Sequence, residues 1–145
     1  MEAILVLTHA DESGAALSKG SLEAVTAGKG LAARLGAELT IGIVAKHATK
    51  PAAHIAGAAK RILAVQGEAY AQPRFASDAA ACEALWRASL ATIVVAPQSS
   101  RFARVMAAVD HRVGGVIDTH ITSLAGGDSP RTWCGRVRHW DRAGP

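Results

Sequence analysis

The sequence is poor in aromatic residues and in charges. Of its 145 residues, 4% are aromatic and 19% are charged, whereas 50% are hydrophobic. So apolar a composition excludes an intrinsically disordered chain. The scarcity of rings leaves Ala, Val, Ile and Leu to build the core, and such small side chains favour helices packed closely on a sheet. We therefore expect a single folded domain of ordinary size.

Cysteines, signal sequences and long apolar segments are also lacking. Two cysteines, Cys82 and Cys134, are too few and too far apart to indicate a disulfide framework or a metal site. The amino terminus has neither the positive flank nor the apolar stretch of a signal peptide, and no segment approaches the roughly 18 apolar residues of a membrane span. These absences predict a cytoplasmic protein with no metal and no membrane insertion.

Positive charge is in excess mainly near the end of the chain. The sequence has 16 Lys and Arg against 12 Asp and Glu, a net charge of +4, and the segment 131–142 holds four arginines and one acid. A nucleic-acid-binding domain shows a basic face over its folded body, so we expect no nucleic-acid partner. Pro130, Gly135 and an irregular polar pattern predict that residues 128–145 form a loose basic tail outside a domain of residues 1–127.

Short apolar runs alternate with helical patterns. This alternation predicts an α/β fold, a three-layer Rossmann-like sandwich of the adenine nucleotide alpha hydrolase-like type, with a mostly parallel five-stranded sheet. The first helix is expected to begin at Ser18 or Ser21 and to end at Gly36. The predicted strands span residues 3–7, 38–45, 61–65, 92–96 and 116–124.

Phosphate-binding loops are missing, because neither G-x-x-x-x-G-K-S/T nor G-x-G-x-x-G follows the first strand. Gly28 and Gly30 lie inside a helical pattern, which predicts close packing on a neighbour rather than a phosphate site.

Asp118 and His120 share one face of the fifth strand by period-two alternation. This pair leaves a hydrolytic enzyme open as a possible function, although no nucleophile motif accompanies it.

Polar residues cluster where the strands are predicted to end. In an open α/β sheet, ligands bind at the carboxyl ends of the strands, near the point where the strand order reverses. The polar residues at these ends are His9, Lys46, His47, Gln98, Ser99 and Ser100. The group at 98–100 also precedes a helix, whose amino terminus stabilises anions. It fits either ordinary helix capping or a ligand site.

The order of these segments resembles a known family. The opening AILVLTHAD, followed by SLEAVTAGKGLAARLGAELTIGIVA, is similar to the amino-terminal domain of the electron transfer flavoprotein alpha subunit. In that domain a first strand also ends in a His-containing loop and leads into a helix rich in L-E-A-x-T-A. The segments AKRILAVQGEAYAQP and TIVVAPQSSRFARVMAAVDHRVGGVIDTHITSL resemble its later strands and helix. The resemblance covers about residues 1–125, in order.

The sequence departs from the family pattern at two places. Arg101-Phe102 stands where the family has Gly-Lys or a similar pair, and Ala103 stands where it has proline. The family's alpha subunit also continues into a second domain with most of the flavin contacts. The tail that ends at Pro145 does not resemble that continuation, so we expect either a truncated, frameshifted or fragmentary version or a standalone protein.

The resemblance implies a scaffold domain that pairs with a beta-type subunit in a FAD-dependent electron carrier and has no catalytic residues of its own. FAD would be held in the assembled heterodimer rather than by this domain alone, and AMP could bind in the partner subunit. The candidate cofactor-binding residues are His9, Gln98, Ser99 and Ser100. The alternative is a standalone adenine-nucleotide-binding module resembling universal stress proteins, although Gly114-Gly115 and Gly126-Gly127 replace their glycine-rich phosphate segment poorly.

Overall fold

The computed structural model contains six strands, three α-helices with defined bounds, one 3₁₀ turn and a further helical segment within the residues that it describes. Those residues are 3–11, 13–14, 16–72, 74–97, 101–102, 105–106, 108–109, 115–124 and 127–137. The strands are β1 (Ala3–His9), β2 (Glu38–Ala45), β3 (Arg61–Gln66), β4 (Ile93–Pro97), β5 (Gly115–Leu124) and β6 (Gly127–Val137). The helices with defined bounds are α1 (Lys19–Leu35), α2 (Thr49–His54) and α3 (Phe75–Ser89), and a single 3₁₀ turn spans Glu68–Tyr70. Residues 101–102, 105–106 and 108–109 are also helical, and we call them the post-β4 helix.

The strand order is β3-β2-β1-β4-β6-β5. The first four strands in chain order are parallel, with β1 paired to β2 on one side and to β4 on the other. The chain moves outward from β1 to β3 and then returns to the far side of β1, so the order reverses between β1 and β4. The carboxyl ends of these two strands therefore lie side by side at a topological switch point. The prediction of a parallel sheet of Rossmann-like type is confirmed for these four strands.

Two apolar cores lie on opposite faces of the sheet. Along β1, Ile4 and Val6 belong to the core under α1 and α2, whereas Leu5 and Leu7 belong to the core under α3 and the post-β4 helix. All four side chains are almost completely inaccessible to solvent. A strand buried on both faces needs a continuous apolar run rather than strict alternation. The short apolar run at the start of the sequence, predicted as a strand over residues 3–7, has this pattern.

Helix α1 begins and ends where the sequence predicts. The Ser18 hydroxyl accepts a hydrogen bond from the Ser21 N–H at 3.2 Å, and Gly36 ends the helix in the left-handed conformation with φ of 61°. The two inner glycines differ. A Cβ atom on Gly28 would overlap the Val6 side chain, whereas a Cβ on Gly30 would meet no atom within 4 Å. Close packing on the sheet therefore explains Gly28 and not Gly30.

The sheet contains a sixth strand that the sequence analysis missed. β6 lies between β4 and β5 and pairs antiparallel with both. The prediction of a loose tail is therefore wrong for residues 128–137, and the count of five strands is wrong. Between Ile121 and Ser123, β5 advances by two residues while β6 advances by four, so β6 bulges around Pro130. A bulge tolerates a proline, which has no backbone N–H to donate. β4 pairs only with residues 132–136 of β6, which follow the bulge.

A second irregularity bears on the pair Asp118 and His120. Asp118 pairs with Cys134 and Ile121 pairs with Thr132, so β5 carries one residue more than β6 in this interval. Such a bulge interrupts the alternation of faces along a strand. Regular alternation therefore no longer places Asp118 and His120 on one face. The hypothesis of a hydrolytic site depended on that placement.

The two glycines of α1 give a matched pair of substitutions. Gly30→Ala should stabilise the protein by about 1 kcal/mol, because alanine costs less entropy in a helix and its Cβ meets nothing. Gly28→Ala should destabilise it, because overpacking against buried Val6 costs roughly 1–3 kcal/mol, which exceeds the same helical gain. Urea unfolding of both variants measures the two effects. Equal shifts of the same sign would contradict this account of α1 packing.

Candidate functional site at the carboxyl ends of the strands

His9 is the last residue of β1 and lies at the switch point. Its backbone is fixed by the start of α1: the His9 N–H donates to the Ser21 hydroxyl at 3.0 Å, and the His9 carbonyl accepts from the Ser18 N–H at 3.0 Å. The Ser21 hydroxyl donates back to the same carbonyl at 3.3 Å. The cap of α1 thus attaches the helix to the end of β1. The position of His9 follows from the same serines that the sequence identified as helix caps.

The imidazole of His9 is buried and held on two sides. Its Nδ1 lies 3.0 Å from the Ala10 carbonyl oxygen. Because a carbonyl can only accept, Nδ1 carries the proton, and Nε2 is left as an acceptor in the neutral ring. The Phe102 ring meets the imidazole nearly edge-on, with ring centroids 4.9 Å apart and an interplanar angle of 76°. This is a favourable aromatic geometry.

Burial lowers the pKa of His9 below its ordinary value of 6.5. The hydrogen bond to the Ala10 carbonyl opposes this shift, the nearby charge of Arg101 adds to it, and the charge of Asp78 opposes it. Desolvation dominates because taking the imidazolium out of water costs more than these contacts return. The ring is therefore mainly neutral at pH 7, and the site presents a hydrogen-bonding group without a charge.

Behind His9 lies a buried ion pair. Arg101 donates from Nε to Asp78 Oδ2 and from Nη2 to Asp78 Oδ1, both at 2.9 Å, and Nη2 also donates to the Tyr70 carbonyl at 3.0 Å. Asp78 Oδ2 accepts in addition from the Arg74 N–H at 3.3 Å. Asp78 is 1% exposed and Arg101 is 8% exposed. The two-pronged geometry is the strong form of this interaction, and removing one partner alone would cost roughly 3–5 kcal/mol.

The sequence analysis did not identify this pair. α3 begins at Phe75, and Asp78 is the acidic residue of its first turn. The sequence does contain one indication that Asp78 is buried and paired. Asp78 precedes Cys82 by four residues and Leu85 by seven, so it lies on the apolar stripe of α3. An acid on such a stripe needs a buried partner.

The remaining predicted strand-end residues have different surroundings. Lys46 follows β2 at the same edge of the sheet, is exposed, and pairs with Glu68 at 3.1 Å. His47 is also exposed. Gln98, Ser99 and Ser100 lie outside the described residues, in the sequence between the last residue of β4 and buried Arg101. Among the described strand-end residues, the structure thus brings His9 and Lys46 to one edge and buries His9 but not Lys46 or His47.

Gly28, Gly30 and Cys82 lie within the helices α1 and α3. Gly28 and Gly30 lie in the interior of α1, not at a strand-to-helix turn. Cys82 is a buried free thiol whose pKa is raised by burial, with the Asp78 charge adding to the shift. Among the described residues, His, Cys, Asp and Glu form no group of three or more that could hold a metal ion. None of the described helices has the length and apolarity to span a membrane.

A groove of about 460 Å³ lies at the opposite, amino edge of the sheet. It is lined by Ala3, Glu38, Leu39, Thr40, Lys60, Arg61, Ser89 and Leu90. Its charged groups include the exposed ion pair between Lys60 and Glu38, whose members are 72% and 60% exposed. A solvated pair of this kind contributes little binding energy. The carboxyl edge, where a neutral imidazole and a buried ion pair converge, is the stronger candidate for the functional site.

The lowered pKa of His9 gives a pH-dependent prediction. As the pH falls through 6.5, the unfolded chain binds a proton at His9 before the native chain does, so this residue removes stability on acidification. The His9→Asn variant keeps a side-chain donor and lacks the titration. The free energy of unfolding of the wild type should therefore fall more steeply than that of the variant between about pH 7.5 and pH 5.5. Urea unfolding across this range measures the difference, and parallel pH profiles would refute it.

Comparison with known proteins gives a match to a family model. The chain matches the family model for the electron transfer flavoprotein domain over residues 6–132, from within β1 to within β6. No match was found among the curated proteins. The matched segment includes His9, Asp78 and Arg101. Proteins with this domain are electron carriers rather than catalysts, and the family is flavin-associated. Because the match spans most of the chain, the protein belongs to the electron transfer flavoprotein domain family.

Proposed function

We propose that the chain is an alpha-type scaffold domain, and that it pairs with a beta-type subunit in a FAD-dependent electron carrier. The observation that carries this proposal is the family match over residues 6–132 together with a buried histidine at the end of β1. The alpha-type assignment is supported by the ordered resemblance of residues 1–125, which includes the His-containing loop after the first strand. FAD supplies the electron chemistry when it is bound.

The described carboxyl edge fits one wall of a flavin site rather than a complete one. A flavin cofactor presents ring N–H and carbonyl groups, hydroxyls and phosphates, and Nε2 of the neutral His9 imidazole is an acceptor that suits the N–H and hydroxyl groups. The guanidinium of Arg101 is neutralised by Asp78, so it offers no free charge to a phosphate. The neutral imidazole supports His9 as a contact for FAD in the assembled heterodimer. Gln98, Ser99 and Ser100 are proposed as further contacts from their place in the sequence after β4, and AMP binding in the partner is proposed from the family resemblance alone.

The surroundings of His9 support a carrier rather than a hydrolase. Two serines of the described part of the chain, Ser18 and Ser21, interact with its backbone, and their hydroxyls also contact each other at 2.8 Å. Nucleophilic catalysis needs a hydroxyl hydrogen-bonded to the imidazole ring, and neither serine provides that arrangement. In this proposal His9 binds and orients, and the domain contributes no catalytic residue.

The test is co-expression of the full chain with the beta-type subunit of the same organism. We expect the two chains to co-purify and the complex to show flavin absorbance. His9→Asn should raise the Kd for FAD about tenfold, because one buried hydrogen bond is worth about 1 kcal/mol or somewhat more. Glu38→Gln, at the opposite edge of the sheet, is the matched control and should leave the Kd unchanged. Absence of both association and flavin would contradict the proposal.

A second arm tests the standalone nucleotide-binding alternative. The switch point beside His9 also suits an adenine nucleotide, but Gly115 and Gly127 are the first residues of β5 and β6 rather than parts of a loop before a helix. Calorimetric titration of the chain alone with AMP and with ATP should therefore be flat. Heat release with a Kd below about 100 μM, together with ligand-dependent stabilisation, would favour the alternative.

A further inference from the structure

We infer that Asp78 and Arg101 are positioning residues for His9, which they act on through Phe102. This inference rests on the proposed function, in which His9 contacts the cofactor. Neither member of the pair is required to touch the cofactor. Their role is to fix the start of the post-β4 helix, and with it the ring that packs against the imidazole.

The first step is the anchoring of Arg101. Its three hydrogen bonds end on two separate segments, the Asp78 carboxylate in α3 and the Tyr70 carbonyl in the 3₁₀ turn. Asp78 is itself held by the Arg74 N–H. A planar guanidinium bound at both carboxylate oxygens has a defined orientation as well as a defined position. The start of the post-β4 helix is therefore fixed relative to α3.

The second step leads from Arg101 to the imidazole. Phe102 is the next residue, is completely buried, and presents its ring nearly perpendicular to that of His9. The backbone of His9 is fixed independently by Ser18 and Ser21. The packing of Phe102 against the imidazole limits rotation of the His9 side chain. It favours the orientation in which Nδ1–H donates to the Ala10 carbonyl.

A buried ion pair is also better explained by positioning than by stability. Desolvation offsets much of the attraction between two buried charges, and well-packed apolar residues often replace such pairs without loss of stability. The charges of the pair act on His9 in opposite directions, Arg101 lowering its pKa and Asp78 raising it. The pair can therefore hold the helix beside a neutral imidazole with little net electrostatic effect on it.

The decisive variant is Asp78→Leu combined with Arg101→Met, which removes both charges and keeps the interior filled. NMR of the full chain measures the cross-peaks between the His9 and Phe102 rings, and reconstitution with the beta-type subunit measures the Kd for FAD. We expect the cross-peaks to be lost and the Kd to rise at least tenfold, while the variant stays folded. Arg101→Lys keeps the charge without the two-pronged geometry and should give intermediate values. Met106→Leu, a buried change in the same helix, should change neither.

If the double variant does not fold, Phe102→Leu replaces it. This substitution keeps the ion pair and removes the ring, and it should raise the Kd for FAD to the same extent. Full cross-peaks and an unchanged Kd in a folded double variant would overturn the inference. If even the wild-type complex binds no flavin, the proposed function fails, and the NMR measurement alone still decides whether the pair positions His9.

Discussion

The burial of β1 on both faces is the constraint on which the rest of the structure depends. From Ile4 to Leu7 the strand has no exposed side chain, so a helical layer must cover each face and a strand must pair with each edge. The layer on one face requires glycine at position 28, where α1 lies against Val6. The strands at the two edges, β2 and β4, are parallel to β1. This arrangement puts the switch point at the end of β1.

The polar groups of the carboxyl edge are organised around that strand end. The cap of α1 holds the backbone of His9, and the post-β4 helix packs Phe102 against its ring. The ion pair between Arg101 and Asp78 ties that helix to α3 at the end of the second core. One strand end is therefore in contact with elements from both faces of the sheet. This convergence gives a neutral imidazole a fixed place at the switch point, where the topology favours a ligand.

Much of the parallel part of the fold could be predicted, because its signals are local. The apolar run 38–45 coincides with β2, and Ser18 and Gly36 cap α1 as their side-chain and backbone preferences indicate. The position of His9 at the end of β1 was predictable, since the end of a buried strand can be read from the sequence. The partners of His9 were not, because Asp78 and Arg101 lie 23 positions apart and meet only after α3 and β4 have packed. β6 was missed for a different reason: its bulge around Pro130 interrupts the alternation that identifies a strand.

The central claim is that the carboxyl edge of the parallel strands faces the flavin and its partner subunit. Hydrogen–deuterium exchange, measured on the chain alone and in complex with the beta-type subunit and FAD, tests this claim most directly. The account predicts slower exchange of the amides in segments 10–17 and 98–101, which follow β1 and β4. It predicts no change at the amino edge, around Thr40 and Leu90, which line the opposite groove. Protection confined to that amino edge, or no protection at either edge, would contradict the account.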